Sequence, residues 1–421
     1  MLLYPATVQS TYANLVQLHL NRPAFEFSGA PFTRERSGKT YWYVNQRVAP
    51  GAPPRQRYLG PDSENLRARI EDWRESSSDQ ADFRANASRQ VAQLRAAGLP
   101  TLDRQTGSIL RALSASGVFR LGGTLVGTHA FRCYPAILGM DLMSQAADPG
   151  WLAQTEDLDI ASFEKLSVAI EDVADPDVAE TLKALGFSPR NALDPKKPTS
   201  WTLPDGSYSV DFLTPAFSDD VTPARLDSMG VWAQRLHYLN FLLRDPIPAV
   251  ALYMEGLLVQ VPSPERYAIH KLIVSQKRRP GAAKANKDLA QARALIFAQA
   301  EARPQALYDA LEEAETEGPS WRTAIDQALA LTFNAPELRH EPRRDVVSFE
   351  GRALQGAQVC SISAEALEDH FSAKSWSSSD MLSAARRNRR RIEVIAQSIF
   401  RRRPGPETLI RSEDVEEYSP P

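Results

Sequence analysis

The chain predicts an α+β fold: a mixed sheet with flanking helices, a helical second half to that core, and a small α/β C-terminal domain. Three observations carry this. Residues 105–215 alternate short apolar runs with Gly- and Pro-marked turns. Residues 225–330 read as mostly helical, and from about Asp345 the texture changes again to two apolar strands followed by helices. The polar run ELRHEPRRD (337–345) reads as a linker, so a boundary is expected near 336–345.

Taken in order, residues 1–104 hold a hairpin and helices. In TYWYVNQRVAPGAPPRQRYLGP the period of two places Tyr41, Tyr43 and Asn45 on one strand face and Trp42, Val44 and Gln46 on the other. APGAPP is the expected turn and QRYLG the returning strand. Residues 62–98 are charged and read as long helix, interrupted at SSSD (76–79) and ended by Gly98. In the core, residues 105–335, VFRL (118–121) reads as a short strand broken by Gly122-Gly123, with a helix opening at Thr124. LDIA lies on the next strand, and a helical stretch around 163–185 stops at Gly186. WTLPDGSYSVDFLTP is a second hairpin turning at Pro204-Asp205-Gly206. Trp232, Leu236, Leu239 and 241–243 read as helical core. Residues 345–421 form the last, Arg-rich domain.

Composition narrows the function. A net charge of −3 excludes a globally basic nucleic-acid coat but leaves local basic patches open. Cys133 and Cys360 stand alone, which points to a reducing compartment and excludes a cysteine-built metal site. MLLYPATVQS lacks a basic start followed by a long apolar run, and no run is long enough to span a bilayer. A cytoplasmic protein with no membrane partner is expected. HExxH and GxSxG are both missing, which argues against a zinc protease or a serine hydrolase.

The chemistry gathers at TEDLDI (155–160). Residues two apart on a strand point the same way, so Asp157 and Asp159 project together while Leu158 and Ile160 face the core. Two close carboxylates repel, and a divalent cation with a preference for hard oxygen is the usual reason to keep them. In the second hairpin Tyr208, Val210 and Phe212 share one face, leaving Ser209 and Asp211 on the other. Three aspartates on adjacent strands suit a two-metal site that orients a triphosphate. Gly122-Gly123-Thr124 offers a place where backbone N–H groups approach phosphates. Taken singly, each has a plainer reading: an acidic turn, a tight turn without a ligand, a polar hairpin residue.

The ordered set LGGT (121–124), TEDLDI and SVDF (209–212) resembles the nucleotidyltransferase superfamily with the polymerase β-type fold. Over roughly residues 25–310 the texture resembles a bacterial group akin to AbiE-type toxin nucleotidyltransferases. The resemblance implies that Gly122, Gly123 and Thr124 bind the nucleotide. It implies that Asp157, Asp159 and Asp211 bind two Mg²⁺ ions, with Mn²⁺ as a substitute, and that Asp211 is the base. It places Lys271 and Lys287 at the phosphates, and Lys277 and Arg278 at an RNA backbone. The implied reaction moves NMP from an NTP to a hydroxyl of RNA, tRNA especially, or of protein, in a toxin-like or phage-defence role. One departure is the long interval between Gly123 and Asp157. The rival readings are an inactive nucleotide- or RNA-binding module and a DNA-binding regulator. The last segment, with VSFEG, VCSISAEALEDHF and NRRRIEVIA, resembles a small uncharacterised bacterial domain. Its runs RRNRRR (386–391) and RRR (401–403) are a candidate nucleic-acid contact or a solvated helix face.

Overall fold

A computed structural model describes residues 2–21, 30–46, 53–78, 80–144, 149–169, 174, 177–190, 194–279, 281–334 and 337–418. The chain divides into two compact units, one made of Leu2–Asp141 with Ala153–Ser263, the other of Leu142–Leu152 with Pro264–Pro421.

The first unit opens with the short strand Leu2–Leu3 and then the helix Ala6–Leu20, which the sequence pattern did not lead us to expect. Its Tyr12 and Leu15 pack with Ala87, Val91 and Leu94 of the helix Gln80–Ala96. The helical run is described as Glu64–Ser78 and Gln80–Ala96, with residue 79 of the expected interruption outside the described residues, and Gly98 ends it at φ +86°. Lys39–Gln46 and Arg55–Pro61 pair antiparallel as expected, with a bulge beside Trp42/Tyr43. An unexpected third strand, Pro31–Arg36, joins them through a Ser37-Gly38 turn with positive φ at both residues, the geometry a two-residue hairpin favours. Val44 is fully buried with Leu66 and Ile70 of the following helix. Most of the turn expected at APGAPP (residues 49–52) lies outside the described residues.

The centre of this unit is a mixed sheet in which Ala224–Leu226, Val231–Leu236, Ser209–Pro215, Asp157–Ala161 and Thr124–Val126 lie side by side in that order. Ser200–Thr202 pairs antiparallel with Ser209–Pro215, and Gly206 turns the hairpin at φ +73°. Three expectations are corrected here. VFRL is not a strand: Gly117 and Gly122, both left-handed, close it into turns in which the amide of Gly123 donates to the carbonyl of Val118. Thr124 does not start a helix; the β-branched Thr124 and Val126 extend as a strand, and the helix Gly127–Phe131 begins after it. Residues 225–261 are largely strand, including the hairpin Ile247–Ala251/Leu257–Val261, with only Leu239–Leu242 helical among the residues read as helical core. Parallel pairing of Leu213–Pro215 with Gln234–Leu236 supplies the tertiary partner that overrides the helical texture, and Pro246 and Pro248 bar a helix. The stretch expected as helix over 163–185 shows Glu164–Ala169 and Val178–Ala184, with 170–173 and 175–176 outside the described residues.

In the second unit four helices, Pro264–Lys277, Ala283–Ala302, Pro304–Thr316 and Pro319–Ala328, precede a small α/β element. Its sheet runs Arg339–Glu341, Val346–Ala353, Gly356–Ser363, Glu407–Ile410. The run read as a linker therefore contributes a strand: Arg339–Glu341 pairs antiparallel with Val346–Ser348. Cys133 and Cys360 are buried free thiols, and burial pushes each up to about 12.

Candidate active site

Alternation along two parallel strands builds the site. In Asp157–Ala161 the side chains of Leu158 and Ile160 are fully buried, while Asp157 and Asp159 are half-buried on the other face. Ser209–Pro215 repeats the pattern with Val210 and Phe212 inward and Asp211 half-buried. The register then decides the chemistry: Asp211 is the direct partner of Asp159, and Ser209 of Asp157. Neighbouring strands lie about 4.8 Å apart, so the carboxylates of Asp159 and Asp211 share one patch of sheet. The Ser209 hydroxyl donates to Asp157 Oδ1 at 2.9 Å, and the Asp157 amide donates to Thr155 Oγ1 at 3.3 Å. Those two bonds fix the first carboxylate beside the other two.

The third wall is the strand Thr124–Val126, whose Val126 is the register partner of Asp159. Gly127 follows at φ +65°, and a Cβ there would stand 2.2 Å from Asp159 Oδ2. Only glycine fits both the left-handed backbone and the carboxylate lying over it. The strand-to-helix corner next to the aspartates is thus Val126-Gly127-Thr128, not Gly122-Gly123. Gly122 meets Leu166 Cδ2, and Gly123 meets Val118, each at 2.7 Å from where a Cβ would be. Their close approaches are to packing partners, and Thr124 beside them is buried at the start of the strand.

A buried polar chain supports the corner. His129 Nε2 and the Tyr208 hydroxyl are 3.0 Å apart, the Tyr208 and Thr106 hydroxyls 2.9 Å. Thr106 Oγ1 donates to Asp103 Oδ2 at 2.7 Å, and Asp103 caps the helix Arg104–Ala115 by accepting from the Thr106 amide. Burial pushes the Tyr208 phenol up to about 12, so it stays a neutral donor. The chain ties the helix after Gly127 to the residue that enters the Asp211 strand.

Lys271 and Lys287 belong to the other unit. Lys271 is buried, and its Nζ lies 2.6 Å from Asp288 Oδ1, while Arg278 Nε holds Asp288 Oδ2 at 2.7 Å. Burial pushes the Asp288 carboxyl up, but the two cations outweigh it and hold the group below its usual range. Lys287 is half-buried on the same helix as Asp288. In the Arg-rich segments, Arg389 pairs with Glu393, Arg401 with Glu315 and Asp326, Arg402 with Glu417, and Arg403 with Asp414 and Glu417. Those pairs satisfy much of the positive charge within the fold.

The donor chemistry of Asp157, Asp159 and Asp211 suits a hard divalent cation, though among the described residues no group of three or more His, Cys, Asp or Glu is arranged to hold a metal ion. Mg²⁺ is commonly held by one or two carboxylates plus substrate phosphates, rather than by a complete protein cage. The opposed Asp159 and Asp211 fit that arrangement. Among the described residues no helix is long and apolar enough to cross a membrane.

Sequence reasoning passed over Gly127, Thr128 and the His129–Tyr208 contact. The signal was present in LVGTHA: two β-forming residues, then glycine and a hydroxyl residue opening a helix. The earlier GG drew attention away from it. Neither the search of curated proteins nor that of solved structures gave a match. A family model described as a protein of unknown function (DUF1488) matches residues 331–408. A second model, described as nucleotidyltransferase, matches residues 104–316. This stretch includes all three aspartates and the Gly127 corner. Since it takes in just over half of the 421 residues, the chain belongs to that nucleotidyltransferase family.

Proposed function

We propose that the protein transfers NMP from an NTP to an acceptor hydroxyl, releasing pyrophosphate. The observation that carries this is the register pairing of Asp159 with Asp211, with the Gly127 corner against the first carboxylate. Asp157, Asp159 and Asp211 would hold Mg²⁺, or Mn²⁺ in its place; when bound, the ions supply charge neutralisation for the triphosphate. The chain's own residues do the rest. Backbone amides at Gly127 and Thr128 seat the phosphates. Asp211 takes the proton of the attacking hydroxyl as its oxygen bonds to the α-phosphorus. The bond from that phosphorus to the bridging oxygen breaks, and pyrophosphate leaves in line. Gly122, Gly123 and Thr124 support this corner from the other end of its strand. Lys271, in the other unit, is held by Asp288.

The acceptor is an RNA 3′ end, tRNA in particular, or a protein hydroxyl. Extending or capping tRNA would remove the terminal hydroxyl that aminoacylation uses, which is the chemical ground for a toxin-like or phage-defence role. The test incubates the protein with Mg²⁺, each α-labelled NTP in turn, and either total RNA or total protein. Label entering one acceptor class supports the reading and names the base and the acceptor. Saturable NTP binding with no transfer to either class would favour a non-catalytic nucleotide-binding module.

A further inference from the structure

We propose that the open face of the sheet Pro31–Arg36, Lys39–Gln46, Arg55–Pro61 is a stacking platform for a single-stranded nucleic acid. One face is committed to the fold: Val44 is buried with Leu66 and Ile70, and Trp42 and Trp73 pack beside them. The opposite face carries four aromatic rings in a row across the strands. Phe32 is the register partner of Tyr43, and Tyr43 of Tyr58. Ring centroids lie 6.0 Å apart for Phe32–Tyr43, 5.5 Å for Tyr43–Tyr58 and 6.0 Å for Tyr41–Tyr58. Tyr58 is 51 % exposed.

A tyrosine ladder alone is ordinary strand chemistry, because aromatic cross-strand pairs stabilise any sheet. The charge around this one sets it apart. On the ring face the described residues of the three strands carry Arg34, Arg36 and Lys39 and no acid, in a chain whose net charge is −3, while Arg55, Arg57 and Glu35 alternate onto the other face. Arg34 lies among the rings, its guanidinium 5.6 Å from the Phe32 centroid and 5.8 Å from that of Tyr43. An apolar protein partner would gain nothing from a cation at the centre of the patch. A strand of unpaired bases gains from both parts, its bases stacking on the rings and its phosphates meeting the arginines. The platform uses residues of this sheet alone and goes beyond the transfer reading, so either can fail without the other.

The test is fluorescence anisotropy with the full chain and no NTP. The probes are a labelled oligouridylate, a single-stranded DNA of equal length and a duplex. Single strands should bind and the duplex bind more weakly, and the stronger of the two single strands names the natural class. Tyr43→Ala with Tyr58→Ala should weaken binding at least roughly tenfold, whereas Tyr43→Phe with Tyr58→Phe should retain it. Arg34→Ala with Arg36→Ala should flatten the logarithmic salt dependence by about 1.4. An Asp159→Asn variant should bind as the parent does, which separates this surface from the transfer site. Failure of both single strands to bind, or an affinity unmoved by the alanine pair, would overturn the proposal. Should that pair not fold, the exposed Arg34→Glu substitution decides the matter in the same way: binding must weaken, and unchanged binding overturns the platform.

Discussion

Two places in this molecule concentrate charge, and they use it in opposite ways. In the second unit the buried Asp288 is held between two cations, the buried Lys271 and the partly exposed Arg278, so its negative charge is answered within the fold. In the first unit Asp157, Asp159 and Asp211 stand on one half-buried sheet face, with like charge opposite like charge in the register. A buried cation–anion set of the first kind holds helices together. A set of like carboxylates beside a glycine corner is what the proposed transfer reaction would use. A sequence position rich in charge becomes a site only when the fold leaves its charge accessible and of one sign.

The largest effect expected from this contrast is on transfer. Asp159→Asn and Asp211→Asn should each reduce label transfer below detection and leave the thermal melt nearly unchanged, because both positions are half-exposed. Transfer persisting in either variant would return the aspartates to the status of a polar sheet face. Next in size is the buried set. Asp288→Ala leaves Lys271 without its nearest carboxylate in the interior and should cost about 3–5 kcal/mol of folding stability, read by chemical denaturation. A loss under about 1 kcal/mol would show that water reaches Lys271 and that the pair is not truly buried.

Glycine substitutions separate the two candidate nucleotide corners. Gly127→Ala strains a left-handed backbone by about 1–2 kcal/mol and drives a methyl into Asp159, so transfer should fall further than stability does. Gly122→Ala meets the end of the flexible Leu166 side chain at a comparable φ of +85°. It should lower the melting temperature by a similar amount while retaining transfer. If Gly122→Ala instead removed transfer without a stability loss, the phosphate seat would lie at Gly122-Gly123.

The last effect is absent near neutral pH and grows only as the solution is acidified. Burial lowers His270 to about 3, with Lys271 as a further push in the same direction. The unfolded chain takes up that proton near pH 6.5, whereas the folded chain does so only near 3. Stability therefore rises with pH between about 3 and 6.5, by up to about 1.4 kcal/mol per unit, and is complete above 6.5. Asp288, held below its usual value, adds a loss at the acid end, as pH falls through its folded pKa. His270→Gln should flatten the slope between about pH 6.5 and 4 in denaturation curves, and an unchanged slope would place the proton uptake elsewhere.

What was legible in the sequence follows from period. Alternation in LDI and SVDF placed Asp157, Asp159 and Asp211 outward without any structure, because a strand has only two faces and one of them was apolar. The two strands of the small α/β element after residue 345 were legible for the same reason. Register was not legible. Nothing in TEDLDI says that Asp159 faces Asp211 across a parallel ladder, since that pairing joins strands far apart in the chain. The strands between 224 and 261 were hidden because tertiary pairing, not local propensity, makes them extended. The glycine beside the carboxylates was passed over because two adjacent glycines look more permissive than one. In fact Gly122 and Gly123 serve tight packing, and the single Gly127 faces the carboxylate.

Whether the paired aspartates hold a cation together with a nucleotide is decided by Mn²⁺ binding, followed by electron paramagnetic resonance with and without a non-hydrolysable NTP. Weak Mn²⁺ uptake is expected for the protein alone, because the chain supplies only part of the coordination. Tight uptake is expected once the nucleotide is added, and its loss in the Asp159→Asn/Asp211→Asn double variant. Nucleotide-dependent uptake that survives the double variant would contradict the assignment, and so would no uptake under any condition.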